Sequence, residues 1–274
     1  MNISFVYGCK ILKSVEFYDW KLDSCRPVSW IKVGSSARGG KNHDMHSAIH
    51  LGIILCGEHS GRYGNTEITL QQSGVYLTAP WEPHCTLPGS SDREILLINL
   101  DNSSLENFFF TGQEKLAALF ALPPRERMQC INQSPGRLSL LENTAKIYAA
   151  ADSPEKVLQM YNTVLAFFID LLPQIPENGS SGGFQEGRLR PALQQLGCEL
   201  VGVEEAAKLC NLSSSRFSVL FKSVFGMSFA RYERLFRLNG ARDDLRRGLS
   251  LKETAEKWSF CDKSHLARLL KQYW

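Results

Sequence analysis

Two groups of side chains in this sequence could do chemistry, and the first group is basic. Residues 188–274 hold 16 lysines and arginines against 9 aspartates and glutamates, a balance of +7. Residues 1–187 hold 15 basic and 19 acidic side chains, a balance of −4. A basic C-terminal third on an acidic body is typical of a module that binds a polyanion, although exposed helices also carry such residues as a solvated surface.

The second group is histidine. Five of the six histidines lie between positions 43 and 84: His43, His46, His50, His59 and His84. Imidazole nitrogens bind metal ions and polar ligands, and they also make ordinary core hydrogen bonds. Aromatic side chains in the same region could wall a pocket for an apolar or sugar-like ligand, or could form core: Trp30, Tyr76 and Trp81.

Composition limits the class of protein that carries these groups. The chain has 274 residues, of which 43% are hydrophobic and 22% are charged, as expected for a soluble protein of one or two domains. Its eight cysteines are scattered with no C-x-x-C pair, which favours reduced thiols over a disulfide scaffold or a zinc ribbon. The sequence shows no signal-peptide pattern and no apolar run approaching the length of a membrane span. We therefore expect a cytoplasmic protein with no membrane partner.

The elements that position these residues fall on either side of a linker. Residues 173–187 read PQIPENGSSGGFQEG, which is typical of a flexible connection. Before it, short β-forming runs extend to about residue 102, and helical patterns follow over 105–172. We predict a two-domain α+β protein, in which residues 1–172 form an antiparallel β-barrel or sandwich with trailing helices and residues 188–274 form an all-α domain.

One helix of the first domain has two possible roles. It begins at Asp152-Ser153-Pro154, a capping residue followed by proline at the first helical position. Its apolar residues follow helical spacing: Val157, Tyr161, Val164, Leu165, Phe168, Leu171 and Leu172. This stripe predicts either packing onto the helix's own domain or a homodimer seam, and we expect a homodimer through helix 153–172.

The basic third contains two helix-turn-helix patterns, at about 203–226 and 251–271. In the first, a short amphipathic helix over 203–210 is followed by a turn and by a second helix that Ser213 is placed to cap and Gly226 to end. The same spacing returns about 48 residues later. Two such units on one connecting helix can place their second helices in successive segments of the DNA major groove, about 34 Å apart.

Residues 188–274 resemble the DNA-binding domain of AraC/XylS-type bacterial transcription regulators. The resemblance is carried by Leu212-Ser213, Leu220-Phe221-Lys222, Gly226, Arg237-Leu238 and the run Phe260-x-Asp262-x-Ser264-His265-Leu266-x-Arg268. It implies a regulator, such as an activator, rather than an enzyme, with promoter DNA, a small-molecule effector and RNA polymerase as partners. The sequence names neither the effector nor the operator.

The resemblance also implies which residues meet DNA: Ser213, Ser215, Arg216, Ser218, Val219 and Lys222 in the first unit, and Lys263, Ser264, Ala267, Arg268 and Lys271 in the second. Arg268 is the strongest candidate for direct readout, because a guanidinium can bind guanine O6 and N7 together. Lys222 and Lys271 are placed for phosphate contacts or for simple solvation. Three features depart from the family pattern. Val219 stands where an arginine is common, and Ser259 stands where a glycine is usual. The family pattern also continues beyond the position of Trp274, and for that reason we expect the second unit to be the less stable.

The N-terminal region resembles the cupin-type sensor domain of such regulators, on Gly57-Glu58, Gly74 and the run from Ala79 to His84. This implies an effector site at His46, His50, Trp81 and His84. Metal-binding cupins carry His-x-His-x3-Glu-x6-Gly, and the corresponding stretch here makes Asp44, His46, His50 and His84 candidate ligands. Two ligand types of that motif differ, so we expect no metal or other cofactor. A metal-dependent cupin enzyme with a DNA-binding tail, and a constitutive regulator with a purely dimerising barrel, remain alternatives.

Overall fold

The β-strands lie in the N-terminal domain. The computed structural model describes residues 22, 26–34, 44–88, 92–108, 113–175, 183–196 and 200–273. Its strands are β1 (Val28–Gly34), β2 (Ile49–Cys56), β3 (Glu58–Tyr63), β4 (Thr66–Gln71), β5 (Val75–Thr78), β6 (His84–Thr86) and β7 (Glu94–Leu100). They pair antiparallel in two sheets, of order β1-β7-β2-β5 and β4-β3-β6.

The predicted barrel is not closed by these strands. β5 and β6 are edge strands of different sheets, and the chain passes between them through residues 79–83. Pro80 and Pro83 have no backbone N–H, so this segment cannot extend the ladder of either sheet. The predicted α+β class is confirmed, with a β-sheet domain followed by a helical domain, but the barrel form of the sheets was wrong.

In the described residues, the helices that follow the strands are α1 (Asn102–Phe108), α2 (Gln113–Ala121), α3 (Pro124–Gln133), α4 (Gly136–Ala149) and α5 (Pro154–Leu171), the last continuing into a 3-10 turn at Leu172–Gln174. Ser153 is the N-cap of α5 and proline opens the helix, as expected, but the serine side chain makes no capping hydrogen bond. The predicted apolar stripe of α5 packs into the core of its own domain, with Val164 and Phe168 fully buried in the same hydrophobic cluster as Leu51 and Ile98. A dimer through α5 would therefore have to use the opposite face, where Leu158 and Ile169 are exposed.

A buried arginine connects the helices to the segment between the sheets. Arg127 on α3 is 1% exposed and donates hydrogen bonds to the backbone oxygens of Leu77, Phe120 and Leu122 at 3.0–3.2 Å. Its guanidinium also donates to both carboxylate oxygens of Glu82 at 2.5 Å. Glu82 in turn accepts a hydrogen bond from the Ala79 amide at 3.0 Å. A buried charge needs such full satisfaction, and the network fixes the conformation of residues 79–84, which we call the crossover loop.

The helical domain consists of α6 (Gly183–Gln194), α7 (Val203–Leu209), α8 (Ser214–Phe225), α9 (Phe229–Arg246), α10 (Leu251–Lys257) and α11 (Lys263–Tyr273). α6 begins inside the predicted linker 173–187, of which residues 176–182 lie outside the described part of the chain. None of the helices in the described ranges has both the length and the hydropathy that a membrane span requires.

Candidate DNA-reading helices and histidine cluster

The first helix-turn-helix unit is formed by α7, a tight turn and α8. Asn211 in the turn has a φ of +52°, a left-handed conformation that asparagine tolerates better than most residues. The Ser213 hydroxyl accepts a hydrogen bond from the Arg216 amide at 3.3 Å, which confirms the predicted cap. Gly226 ends α8 in the left-handed conformation, also as predicted. Phe217 and Phe221 are fully buried under the helix, so the opposite face of α8 is the one presented to solvent.

The second unit repeats this construction with α10 and α11. Ser250 caps α10 in a reciprocal capping box with Glu253. Ser259 in the turn has a φ of +53°, and it stands 48 positions after Asn211, which has the same conformation in the first unit. At the start of α11, the Asp262 carboxylate accepts a hydrogen bond from the His265 amide at 2.7 Å. Local backbone geometry therefore confirms the repeat that the sequence spacing predicts.

All eleven residues predicted to meet DNA are exposed on α8, on α11 or at the cap of α8. Val219 is the most exposed of the large hydrophobic residues in the described part of the chain, at 70%. We call α8 and α11, the second helices of the two units, the reading helices. An exposed valine on such a helix can contact a thymine methyl group, as apolar side chains do in major-groove recognition. Ser213 has a structural role as well, because its hydroxyl is engaged in the cap.

α9 joins the two units and belongs to the cores of both. Its 18 residues span about 27 Å. Tyr232 and Leu235, in its first half, lie in the hydrophobic cluster of the first unit. Leu238 and Ala241, further along, lie in the cluster of the second. The orientation of one reading helix relative to the other is therefore set by a single helix.

Three of the predicted effector residues converge in the N-terminal domain. His46 precedes β2, His50 lies within β2 and His84 begins β6, so the two sheets and the preceding segment each supply one imidazole. One ligand nitrogen from each of the three rings can be chosen such that all lie within 4.8 Å of one another. The ring centroids are 4.2 Å apart for His46 and His50 and 5.0 Å apart for His46 and His84. We call these three residues the histidine cluster.

Backbone carbonyls orient two rings of the cluster. The Nδ1 atoms of His46 and His84 lie 2.9 Å and 2.8 Å from the backbone oxygens of Ala48 and Glu82. Since a carbonyl only accepts, each Nδ1 carries the proton and donates, which leaves Nε2 as the acceptor in a neutral ring. Burial lowers the pKa of His46 to about 4, against the opposing effect of the nearby Asp44 carboxylate. Burial also lowers the pKa of His50 well below its ordinary value, so both rings are neutral at pH 7.

Asp44, the fourth candidate ligand, lies beside the cluster. Its backbone pairs with that of His84, through N–H···O distances of 2.6 and 2.9 Å. One of its carboxylate oxygens is 3.9 Å from His46 Nε2. His59, also buried, lies apart on β3, where its ring stacks on Tyr76 at 4.6 Å, and His43 lies outside the described residues.

Trp81, the remaining predicted effector residue, faces the helical domain. Its ring packs against Phe236 of α9 with centroids 4.4 Å apart, and its backbone oxygen accepts a hydrogen bond from the Tyr232 hydroxyl at 2.9 Å. Its backbone amide donates to the His46 oxygen at 2.7 Å. Trp81 thus touches the cluster through its main chain and the helical domain through its ring and carbonyl.

Two further contacts join the domains, and neither was predicted from the sequence. Met45, the neighbour of His46, is buried in the hydrophobic cluster of the first helix-turn-helix unit. The turn at Gly64 lies against the end of α8, so closely that a Cβ atom on Gly64 would stand 2.3 Å from the Val224 oxygen. Only glycine permits that approach. The φ of +56° at position 64 is a second reason, because other residues disfavour this conformation.

Two helix-turn-helix units that share one connecting helix and expose both reading helices define a DNA-binding protein. Residues 206–274 match a family model described as a helix-turn-helix domain, and this domain is of the AraC type. The chain therefore carries an AraC-type DNA-binding domain at its C-terminal end. A comparison with curated protein sequences finds no match.

Solved structures show similarity over most of the chain at low identity. ToxT from Vibrio cholerae O395, bound to (E)-4-(8-methylnaphthalen-1-yl)but-3-enoic acid, is 10% identical with a TM-score of 0.45, over 89% of this chain and 93% of that chain. Wild-type ToxT from strain SCE256, bound to an unsaturated fatty acid, is 12% identical with a TM-score of 0.45, over 90% of each chain. A cupin protein from Bacteroides fragilis is 22% identical with a TM-score of 0.24, over 28% of this chain and 66% of that chain.

Proposed function

We propose that this protein is a transcription regulator that reads a promoter sequence with α8 and α11 under the control of a ligand bound in its N-terminal domain. The observation that carries the proposal is the arrangement of two exposed reading helices on one helix, α9, which is itself hydrogen-bonded to the crossover loop. Control of DNA binding requires that α9 have two arrangements and that the ligand bind them with different affinity. A ligand that alters the crossover loop would do so, because the loop is bonded to α9.

Each reading helix presents base-reading and phosphate-binding residues. Ser215, Ser218 and Val219 are assigned to base edges on α8, and Lys263, Ser264, Ala267 and Arg268 on α11. Lys222 and Lys271, at the far ends of the two helices, are assigned to phosphates. Arg216 lies on the exposed side of α8 and adds a positive charge there.

The ligand site is assigned to the N-terminal domain around His46, His50 and His84, with Trp81 passing the bound state to α9. The helix-turn-helix domain favours a regulator over an enzyme fused to a DNA-binding tail. His46 and His50 are only 8% and 5% exposed, and burial of this kind suits a small bound species. Residues Leu158 and Ile169 on the outer face of α5 are the proposed contact of a homodimer, and RNA polymerase is the proposed partner at the promoter.

The experiment that tests DNA reading is a fluorescence anisotropy titration of the full chain. DNA from upstream of the protein's own gene is compared with random duplex of equal length at two salt concentrations. We expect preference for the upstream DNA and a steep loss of affinity with salt, because phosphate neutralisation releases counterions.

Two matched variants separate the roles of the basic residues. Arg268→Ala should lower the discrimination between the two duplexes by about 1–3 kcal/mol. Lys222→Ala should weaken binding to both duplexes by the same factor and reduce the salt slope by about 1. Equal affinity for both duplexes in the unmodified protein at both salt concentrations, with and without added ligand, would contradict sequence reading.

A further inference from the structure

We propose that the ligand sensed by the N-terminal domain is a divalent transition-metal ion of the zinc class, held by the imidazole nitrogens of His46, His50 and His84. The inference rests on the proposed function, since it names the chemistry of the regulating ligand. It also assigns a route, from His46 through the main chain of Trp81 to α9, by which the bound metal changes DNA binding.

The first support is a buried nitrogen of His46 that makes no hydrogen bond to the described residues. Its Nε2 atom is buried, and no described residue makes a hydrogen bond to it. Leaving a buried acceptor without a partner lowers the stability of the fold, and a bound group would remove that cost. The Ala48 carbonyl fixes the ring through Nδ1, and Nε2 lies 3.9 Å from the Asp44 carboxylate beside the cluster. Carbonyl-oriented imidazoles of this kind are the usual ligands of protein metal sites.

The second support is the set of donors. Three imidazoles are the ligand set of several zinc sites, with a fourth position left for water, an anion or a carboxylate. Zinc–nitrogen bonds of about 2.0 Å place tetrahedral ligands about 3.3 Å apart, so the nitrogens, now within 4.8 Å, need to approach by roughly 1.5 Å. A shift of the segments that carry His46 and His84, together with side-chain rotation, supplies a movement of that size. The Asp44 carboxylate, 3.9 Å from His46 Nε2, is close enough to supply the fourth position.

The third support is the small space between the three imidazole rings. With ring centroids 4.2–5.3 Å apart, the three imidazoles are nearly in contact, and the space between them accepts an ion but not an organic molecule. A proton is the other small cation that three neighbouring imidazoles could share. Metal binding and protonation give different outcomes in the experiment below.

The route to the helical domain begins at the cluster itself. The His46 backbone oxygen accepts the Trp81 amide at 2.7 Å, and the Trp81 oxygen accepts the Tyr232 hydroxyl at 2.9 Å. His84 ends the crossover loop that Trp81 belongs to, and its ring is bonded to the Glu82 carbonyl in the same loop. Drawing His46 and His84 together on a metal therefore moves both attachments of Trp81. Trp81 has a φ of +61°, a conformation that a bulky residue keeps only when its surroundings enforce it.

The metal site is tested with the full chain, first freed of metal and then titrated with Zn²⁺ or Co²⁺ alone. We expect one equivalent to bind, with the visible absorption of tetrahedral cobalt. His46→Gln and His84→Gln should each weaken binding by more than about 100-fold, beyond the usual effect of losing an outer partner. His59→Gln, a matched change at a buried histidine outside the cluster, should leave the stoichiometry and affinity unchanged.

Circular dichroism and thermal unfolding of each variant establish that it is folded before its metal affinity is interpreted. Absence of metal binding by the unmodified protein would overturn the proposal. So would unchanged affinity in folded His46→Gln and His84→Gln proteins. If DNA affinity changed with pH to the same extent with and without metal, the cluster would be assigned to a proton instead.

The route is tested by measuring DNA affinity with and without Zn²⁺. We expect metal to change the Kd for the preferred duplex by at least about 5-fold, the lower end of ordinary allosteric coupling. Tyr232→Phe removes only the hydroxyl that bonds to Trp81, so it should keep metal affinity and lose most of this change. A metal effect that Tyr232→Phe leaves intact would overturn the route. Metal binding by a chain that does not bind DNA would instead reject the proposed function while supporting the metal site.

Discussion

The two helix-turn-helix units are built on the same plan but are held in place differently. Among the described residues, the first unit shares its hydrophobic cluster with Met45 of the N-terminal domain and packs against Trp81. The cluster of the second unit is smaller and contains residues from Leu238 onwards. The first unit can therefore respond directly to the N-terminal domain, whereas the second depends on α9 for its position.

Polar contacts compensate for the smaller core of the second unit. The Trp258 indole donates to the Asp244 carboxylate at 2.7 Å, and Lys257 pairs with the same carboxylate at 2.8 Å. Arg237, which also pairs with Glu233, donates to the backbone oxygens of Trp258 and Ser259 at 3.2 and 3.1 Å. These bonds tie the turn of the second unit to α9, so the unit is oriented more by directional bonds than by buried area.

The largest expected difference between the units follows from core truncation. Phe221→Ala removes a fully buried ring that contacts Phe217, Phe225, Phe229 and Tyr232, and it should lower the free energy of unfolding by about 3–5 kcal/mol. Leu266→Ala, at a fully buried position of the second unit, should cost about 2–3 kcal/mol. Urea denaturation measures both values. A larger loss for Leu266→Ala would contradict the ranking of the two cores.

A glycine on α9 offers a change confined to the second unit. A Cβ atom on Gly240 would stand 2.1 Å from the Trp258 ring, so Gly240→Ala should displace Trp258 and cost about 1–3 kcal/mol. Hydrogen exchange should show faster opening of α10 and α11 with α7 and α8 unaffected. Gly202→Ala is the control, because nothing lies within 4 Å of its added Cβ; since Gly202 is the N-cap of α7, the change should cost up to about 1 kcal/mol and act on the first unit only. Equal destabilisation of both units by Gly240→Ala would show that they unfold together.

The cap of α10 gives a smaller effect. Ser250→Ala removes the hydroxyl that accepts the Glu253 amide, and it should lower the free energy of unfolding by about 1 kcal/mol. Ser223→Ala, at an exposed position of α8, should change it by less than about 0.5 kcal/mol. Thermal unfolding of the two variants side by side checks the difference. Indistinguishable values would mean that the capping box adds nothing to the second unit.

The smallest expected effect is a gain in stability. The left-handed conformation of Ser259 is unfavourable for serine but not for glycine. Ser259→Gly should therefore raise the free energy of unfolding by up to about 1 kcal/mol. Asn211→Gly, at the matching position of the first unit, should gain less because asparagine tolerates this conformation. The melting temperatures of the two variants, each compared with the unmodified protein, give the measurement. A loss of stability in Ser259→Gly would show that its side chain makes a compensating contact.

Local features of the fold were predictable from the sequence because they depend on neighbouring residues. Periodicity and capping residues gave the start of α5 at Pro154, the cap of α8 at Ser213 and the repeat in α10 and α11. Barrel closure was predicted wrongly, since it depends on pairing between distant strands and on how Pro80 and Pro83 redirect the chain. The same long-range pairing brings His84 of β6 to His50 of β2, which spacing alone could suggest but not establish.

The contact of Trp81 with the helical domain was not predicted from the sequence. An aromatic residue beside a histidine suggested a ligand-binding wall, whereas its ring packs on Phe236 from a domain more than 140 positions away. Nothing in the residues around position 81 indicates that contact. Backbone hydrogen bonds such as those of Trp81 leave no trace in side-chain type, and the left-handed φ of a tryptophan runs against local preference.

The peptide groups of Trp81 have a consequence for how such a protein can diverge. Every amino acid other than proline offers the same amide and carbonyl, so the hydrogen bonds to His46 and Tyr232 can be inherited while the side chain at position 81 drifts. Descendants could exchange one ligand for another around this loop and retain the connection to DNA binding. Correlated substitution between positions 46, 81 and 232 would then be weak even where the three residues are mechanically linked.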